Sequence, residues 1–441
     1  MRIPLRIQRI IETIEQNGYE AYLVGGCVRD MLMGKEPNDY DITTSALPKQ
    51  IKEIFNGYTV VETGLKHGTV TLVIDKENIE ITTYRIDGEY ADNRRPESVI
   101  FTKSLEEDLS RRDFTVNAMA YNPQRGIIDL FGGAKDIEDN IIRCVGEPDR
   151  RFNEDGLRIL RGLRFASRLG FSIHKETADS IVKNKELLRN IASERIFAEL
   201  SQLICGKDCA AIIRDYLPVI GVVIPELLPM AHCPQNTKYH FLNVFEHTLL
   251  ALCDVDPKPE LRLAALLHDV AKPVCRVTDK KGIDHFMGHQ EKGAQMTRDI
   301  LNRLKTDNNT KNYVVSLVLM HDDDLTCDRL HLRKMLSLYS YEFLCDLLML
   351  QRADSLAHAP QYRTFGKNYK QVKDTLDKVY KEEGRITLKT LKINGSDLMS
   401  VGITDGKQIG DILNNLLEAV INEKVENDKV KLIEYINNIV I

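Results

Sequence analysis

Asp39 and Asp41 stand one residue apart, shortly after the run Leu23-Val24-Gly25-Gly26-Cys27-Val28-Arg29-Asp30. Carboxylates at i and i+2 of an extended strand project to one side. Such a pair can hold a hard divalent cation that completes its shell with substrate phosphates. Glycines leading into a helix let backbone N–H groups approach an anion, which makes Gly25 and Gly26 candidates for phosphate contact. Glu80, between Ile79 and Ile81, is the candidate third carboxylate. Together these residues point to nucleotidyl transfer assisted by Mg²⁺. A plainer reading makes Asp39 and Asp41 turn residues after Pro37-Asn38 and Glu80 a solvent-facing strand residue.

Two further clusters carry guanidinium groups. Arg111-Arg112-Asp113-Phe114-Thr115 sets two arginines beside a carboxylate. Guanidinium suits phosphate through paired hydrogen bonds, and the carboxylate can accept from a ribose hydroxyl. The other cluster is Glu154-Asp155-Gly156-Leu157-Arg158-Ile159-Leu160-Arg161-Gly162-Leu163-Arg164. Read as one helix from Glu154 to Leu169, it makes Asp155 and Arg158 neighbours on a single face and spaces Arg158, Arg161 and Arg164 as a basic stripe. Asp155 and Arg158 would then form an acceptor–donor template for a base edge, and Arg161 and Arg164 would meet phosphates. Mixed charge at helix termini and a solvated salt-bridged face are the plainer alternatives.

A histidine set lies further on: His247, His268-Asp269, His289, His321 and Asp354. Imidazole and carboxylate are ligands for first-row metals. His174, His232, His331 and His358 read as core or surface residues.

The elements that must position these groups change character along the chain. Residues 1–140 mix helices and strands. Leu5 to Gln16 has an apolar face of Leu5, Ile7, Ile10, Ile11 and Ile14. Ala21–Val24 reads as a strand, Val28–Met33 as the helix after it, and Asp41–Thr44 as a strand edge. Residues 69–74 and 79–84 form a hairpin about Asp75–Asn78, and Asp87–Ser98 is a polar loop. From about 141 the chain is mostly helical. Pro225, Pro229 and Pro234 mark a boundary. The expected divisions are 1–140, 141–225, 226–360 and 361–441.

The chain has 441 residues and a net charge of −5, so a nucleic-acid surface must be a local basic patch. No apolar run approaches the roughly 18 residues of a membrane span, and no apolar segment after Met1-Arg2 suggests a signal peptide. Nine cysteines without CxxC spacing suit free thiols in a cytoplasmic protein.

The joint pattern GGxVRD, DYD, RRDFTxNA and EDGLRxLRxxRFA resembles the class II tRNA nucleotidyltransferases, the CCA-adding enzymes, whose fold poly(A) polymerases share. The resemblance implies an α+β head, a nucleotidyltransferase palm on a mixed β-sheet, followed by an extended all-α neck, body and tail. It implies that Gly26 and Arg29 contact the incoming nucleotide and that Asp39 and Asp41 bind Mg²⁺. Arg112, Asp155, Arg158, Arg161 and Arg164 would also contact it, the EDxxR side chains pairing with C or A in place of a nucleic-acid template. Asp113 would meet the ribose, and Ser193-Glu194-Arg195 with Glu199 would belong to the neck. CTP, ATP and the tRNA 3′ end are the implied partners.

Gly64–Val70 resembles the CCA branch rather than the poly(A) branch, and the segment from Arg85 to Pro96 resembles enzymes able to add the terminal A. The histidine spacing resembles the HD superfamily of metal-dependent phosphohydrolases, implying a second divalent metal and a candidate hydrolase activity. Residues 387–410 resemble the family's tail, with Asp405 before Gly406 where Pro is frequent. The alternatives are an A-adding or poly(A) enzyme, and a phosphohydrolase whose head is an RNA-binding module.

Overall fold

The computed structural model describes residues 3–62, 64–87, 99–363 and 365–440. The expected polar loop after Asp87, with most of the segment tied to terminal A addition, lies outside the described residues. Two compact units divide the chain, Met1–Leu228 and Pro229–Ile441.

Among the described residues the first unit has, besides a short parallel pair of Ile141–Ile142 with Ser172–Ile173, nine strands: β1 (Ala21–Val24), β2 (Asp41–Thr44), β3 (Thr59–Val61), β4 (Thr69–Ile74), β5 (Glu77–Thr83), β6 (Arg85–Asp87), β7 (Val99–Phe101), β8 (Met119–Asn122) and β9 (Gly126–Asp129). Seven form one mixed sheet in the order β3-β4-β5-β2-β1-β8-β9, and β6 and β7 pair separately. Only β2 and β5 run parallel within that sheet. Asp41–Thr44 is therefore interior, between β5 and β1, rather than a strand edge.

Alternation decides which face carries chemistry. Leu23, Ile42, Leu72, Ile79 and Ile81 are buried in a core with Ile7, Ile10, Ile11 and Ile14 of the Leu5–Gln16 helix. Leu5 leaves that face and is 72% exposed. With period two, Asp41, Thr43 and Glu80 fall on the opposite face. The turn between β4 and β5 is only Asp75-Lys76, both at positive φ, as a two-residue hairpin twisting with its strands requires.

Helices Pro148–Glu154, Leu157–Leu169, Lys175–Lys183 and Ser193–Ile204 complete much of the rest of this unit. Gly170, at φ 70°, ends the Leu157–Leu169 helix. The expected single helix from Glu154 breaks at Asp155-Gly156. Asp155 is extended, with φ −141°, and its carboxylate accepts from the Leu157 backbone N–H at 3.0 Å, starting a new helix. A Cβ on Gly156 would come 3.0 Å from Leu187 Cβ.

The second unit is helical apart from a small antiparallel pair, Val277–Thr278 with Asp284–His285. Its C-terminal helices bury Leu398, Leu416, Val420, Leu432 and Ile436 together. Asp405 caps the Gly406–Ile421 helix by accepting from Gln408 N–H, which gives the residue before Gly406 a local role. That helix runs unbroken through Gly410. Among the described residues, no helix is long and apolar enough to cross a membrane.

Candidate active site

A cleft of about 790 Å³ in the first unit gathers nine arginines, at positions 29, 85, 111, 112, 158, 161, 164, 168 and 195, with Asp41, Asp113 and Asp155. Gly25, Gly26, Asn117 and Phe165 also line it. So many guanidiniums against three carboxylates make an anion-binding cavity.

Asp41 opens β2 opposite Val24. Ile42 pairs with Ile81 across the parallel strands, so one step back the register sets Asp41 beside Glu80. Partial desolvation in the crowded cleft wall raises the Asp41 pKa, Glu80 and Asp39 add to it, and Arg112 opposes it. Asp39 is not on the strand. It is exposed and precedes the first paired residue, because β1 ends at Val24 and offers no ladder beyond Asp41. Asp39 and Glu80 do not line the cleft as Asp41 does. Gly25 has φ 77°, and a Cβ there would lie 3.3 Å from Arg112 Nη1 and 3.9 Å from Asp41 Oδ2. Glycine thus allows both the turn and the close approach of the two charged groups.

The arginines are held by specific partners. Arg29 donates from Nε and Nη2 to Asp30 Oδ1 at 2.9 and 2.7 Å, and from Nη1 to Asn117 Oδ1 at 2.8 Å. Arg161 Nε donates to Asp113 Oδ2 at 2.7 Å. Burial would raise the Asp113 pKa, but the Arg161 charge and hydrogen bond outweigh it and hold the carboxyl below its usual range. Arg164 Nε lies 2.8 Å from Glu199 Oε2, and Arg164 Nη1 donates to Gln202 Oε1 at 2.9 Å. Phe165 is ringed by guanidiniums, with Arg29, Arg161 and Arg164 at 5.6, 5.8 and 4.2 Å from its centroid, within cation–π range.

Asp155 and Arg158 both line the cleft but are not neighbours on one helix, since the break at Gly156 separates them. Asp155 Oδ2 accepts from Arg195 Nη2 at 2.9 Å. Arg158 donates to Glu154 Oε2 at 2.6 Å, and to the carbonyls of Arg151 and Arg111 at 3.0 and 3.1 Å. The expected stripe of Arg158, Arg161 and Arg164 does share one helix and one cleft. Sequence reasoning missed Phe165, whose signal was its place beside Arg164 and four residues after Arg161. It also missed the buried Asp108, three and four residues before Arg111 and Arg112.

Residues 21–143 match the family described as the poly A polymerase head domain. Residues 170–216 match a probable RNA and SrmB-binding site of polymerase A, and residues 285–436 a putative tRNA nucleotidyltransferase domain 2. The CCA-adding enzyme of Ligilactobacillus salivarius is 36% identical over 427 residues, covering 96% of this chain and 94% of that protein. The chain belongs to the CCA-adding enzymes. The CCA-adding enzyme of Lactiplantibacillus plantarum is 33% identical over 97% of this chain and 94% of its own. The crystal structure of the Bacillus stearothermophilus CCA-adding enzyme in complex with CTP shares the fold with a TM-score of 0.72 at 30% identity, covering 99% of each chain. This chain is thus a nucleotidyltransferase, with the expected mixed-sheet head and helical remainder. The A-adding, poly(A) and lone phosphohydrolase alternatives are not favoured.

The second unit of this CCA-adding enzyme brings the predicted histidine set together. His247, His268, Asp269 and Asp354 present ligand atoms within 4.8 Å of one another, and so do Asp269, His289 and His321. His247 Nε2 is 2.7 Å from Asp354 Oδ1, and His268 Nε2 is 3.2 Å from Asp269 Oδ2. Nδ1 of His268, His289 and His321 faces the carbonyls of Ala265, Phe286 and Val318 at 2.9, 2.9 and 2.7 Å. Those contacts orient each ring with Nε2 turned inward. Burial disfavours charge on His268, yet Asp269 and Asp354 raise it to about 10. Burial and the neighbouring His268 lower His321 to about 4. His358, read from sequence as an ordinary core or surface residue, joins a third group with His240 and His247. His240 was missed because it lies in a short loop without a helical pattern. Among the described residues these are the groups of three or more that converge so closely, and Asp39, Asp41 and Glu80 form none.

Proposed function

We propose that the arginine cleft binds the triphosphate of CTP or ATP and that the tRNA 3′ hydroxyl attacks the α-phosphate, releasing pyrophosphate. The observation that carries this reading is the convergence of nine arginines on a cleft whose wall holds Asp41. Successive additions of C, C and A to tRNA follow from the family, and a cytoplasmic setting suits nine free cysteines.

Asp39, Asp41 and Glu80 offer only oxygen donors, the set that Mg²⁺ prefers, and their mutual repulsion at Asp41 is what a cation relieves. Mg²⁺, when held by Asp39 and Asp41, supplies charge that lowers the hydroxyl pKa and stabilises the leaving oxygen. The chain's own groups do the rest. Arg29, Arg112, Arg161 and Arg164 neutralise and orient the phosphates beside Gly25 and Gly26, and Asp113 with Arg161 borders the ribose. Asp155 accepts and Arg158 donates. That order matches an exocyclic amine beside a ring-nitrogen acceptor, which cytosine and adenine share and uracil and guanine reverse. Label from CTP and ATP incorporated into tRNA lacking one, two or three terminal residues tests this reading. Loss of the terminal A alone would leave a CC-adding enzyme.

A second reading concerns the histidine cluster. A divalent first-row metal fits His247, His268, Asp269 and Asp354, with His289 and His321 facing the other oxygen of Asp269 at 3.6 and 3.8 Å. Asp269 Oδ1 has no hydrogen-bond partner among the described residues, a cost that a cation removes. This supports an HD-type site with a candidate phosphohydrolase activity, lying within the proposed HD division 226–360 between a proposed neck at 141–225 and a proposed tail at 361–441. Metal content after dialysis, compared between the enzyme and His268→Ala, tests the site. Hydrolysis of a phosphodiester dye tests the activity.

A further inference from the structure

Asp108 lies on the short Leu105–Ser110 helix, is completely buried, and spends its oxygens on groups that build the cleft. Oδ1 accepts from Arg111 Nε and Nη2 at 3.0 and 2.8 Å and from the Arg85 backbone N–H at 3.3 Å. Oδ2 accepts from Thr43 Oγ1 at 3.1 Å and lies 3.5 Å from Arg112 Nη2. Thr43 is two residues along β2 from Asp41 and therefore on the same face. One carboxylate thus joins the strand that carries Asp41, the start of β6 and two consecutive cleft arginines.

We propose that Asp108 is the positioning residue of the triphosphate pocket, fixing Arg111 and Arg112 and through them the phosphates of the incoming nucleotide. The inference rests on reading the cleft as the triphosphate site. Two adjacent guanidiniums repel one another, and each is long enough to swing into solvent. A buried carboxylate between them cancels that repulsion and removes the freedom before substrate arrives. Arg112 also approaches Gly25 closely, where a Cβ would sit only 3.3 Å from its Nη1, so the place that Asp108 helps to set for Arg112 depends on glycine at that position. Burying a charge merely to pack a helix is expensive. Every partner of Asp108 named above either lines the cleft or belongs to β2.

The test compares Asp108→Asn with the natural enzyme, using CTP as substrate and CDP and CMP as competitors, alongside thermal denaturation. In the natural enzyme, affinity should fall with each phosphate removed. In Asp108→Asn, the KM for CTP should rise by about tenfold or more, the affinity for CMP should change by less than about twofold, and the KM for tRNA should hold. Equal weakening of CTP, CDP and CMP would overturn the proposal, because a general loss of structure does not count phosphates. Affinity independent of phosphate number in the natural enzyme would instead sink the reading of the cleft on which the proposal rests. Thr43→Val, nearly equal in shape, carries the test if Asp108→Asn does not fold. It should show the same graded loss at smaller size, and unchanged CTP affinity there would count against Asp108.

Discussion

At the scale of single residues, Asp41 is crowded by Glu80 and Asp39 on one side and steadied by Arg112 on the other. Asp41→Asn keeps the shape and removes the charge. It should lower nucleotide incorporation by at least about a thousandfold while the melting temperature holds, because the carboxylate contributes little packing. Asp155 and Arg158 predict a different phenotype. Arg158→Ala should relax the choice among bases, seen as UTP or GTP incorporation rising relative to CTP and ATP. Discrimination carried by a pair of hydrogen bonds to a base edge amounts to about 1–3 kcal/mol, so ratios should change by roughly tenfold to a hundredfold. An unchanged ratio with lower overall activity would show that Arg158 only supports the cleft.

At the scale of elements, the arginine stripe works because the Leu157–Leu169 helix is clamped against its neighbours. A Cβ on Gly206, just past the Ser193–Ile204 helix, would come 2.6 Å from the Ser167 carbonyl carbon. Ser167 Oγ also donates to the Leu203 carbonyl at 2.7 Å. Gly206→Ala should therefore cost about 1–3 kcal/mol, measured by denaturant unfolding.

Acid should act on the same region. The folded Asp113 pKa is lowered, so its stabilisation is complete above the unfolded value of about 3.9 and fades as pH falls through the folded one. The melting difference between the natural enzyme and Asp113→Asn should be full at neutral pH and shrink below about pH 4. A constant difference would mean that the loss is one of packing.

At the scale of the whole molecule, a chain of net charge −5 still gathers nine arginines in one cleft. Affinity for tRNA should fall with salt, the logarithm of the association constant declining with a slope on the order of −3 to −5 for a handful of phosphate contacts. Fluorescence anisotropy from low to high salt measures it, and a flat response would contradict phosphate binding. The second unit makes a separate expectation. Mn²⁺ should raise the melting temperature of the natural enzyme and leave His268→Ala unmoved, since a ligand of the folded state alone stabilises it by mass action.

Much of this was legible in the sequence because it is local. Alternation placed Ile42, Ile79 and Ile81 in the core and left Asp41 and Glu80 on the working face. Three-residue spacing put Arg158, Arg161 and Arg164 on one helix, and the motifs by themselves pointed to the family. What was not legible involves partners far apart in the chain. Nothing in local spacing says that Arg161 takes Asp113, that Arg195 takes Asp155, or that Asp108 lies beneath Arg112 and Thr43. Nor does it say that the helix breaks at Gly156, leaving Asp155 outside the helix that carries Arg158. The histidine cluster divides in the same way, its spacing marking His268-Asp269 and the fold alone adding His240 and His358. Periodicity fixes the face on which a side chain lies. Ion pairing is decided by which charges the packed sheet and helices leave within reach once water has been excluded.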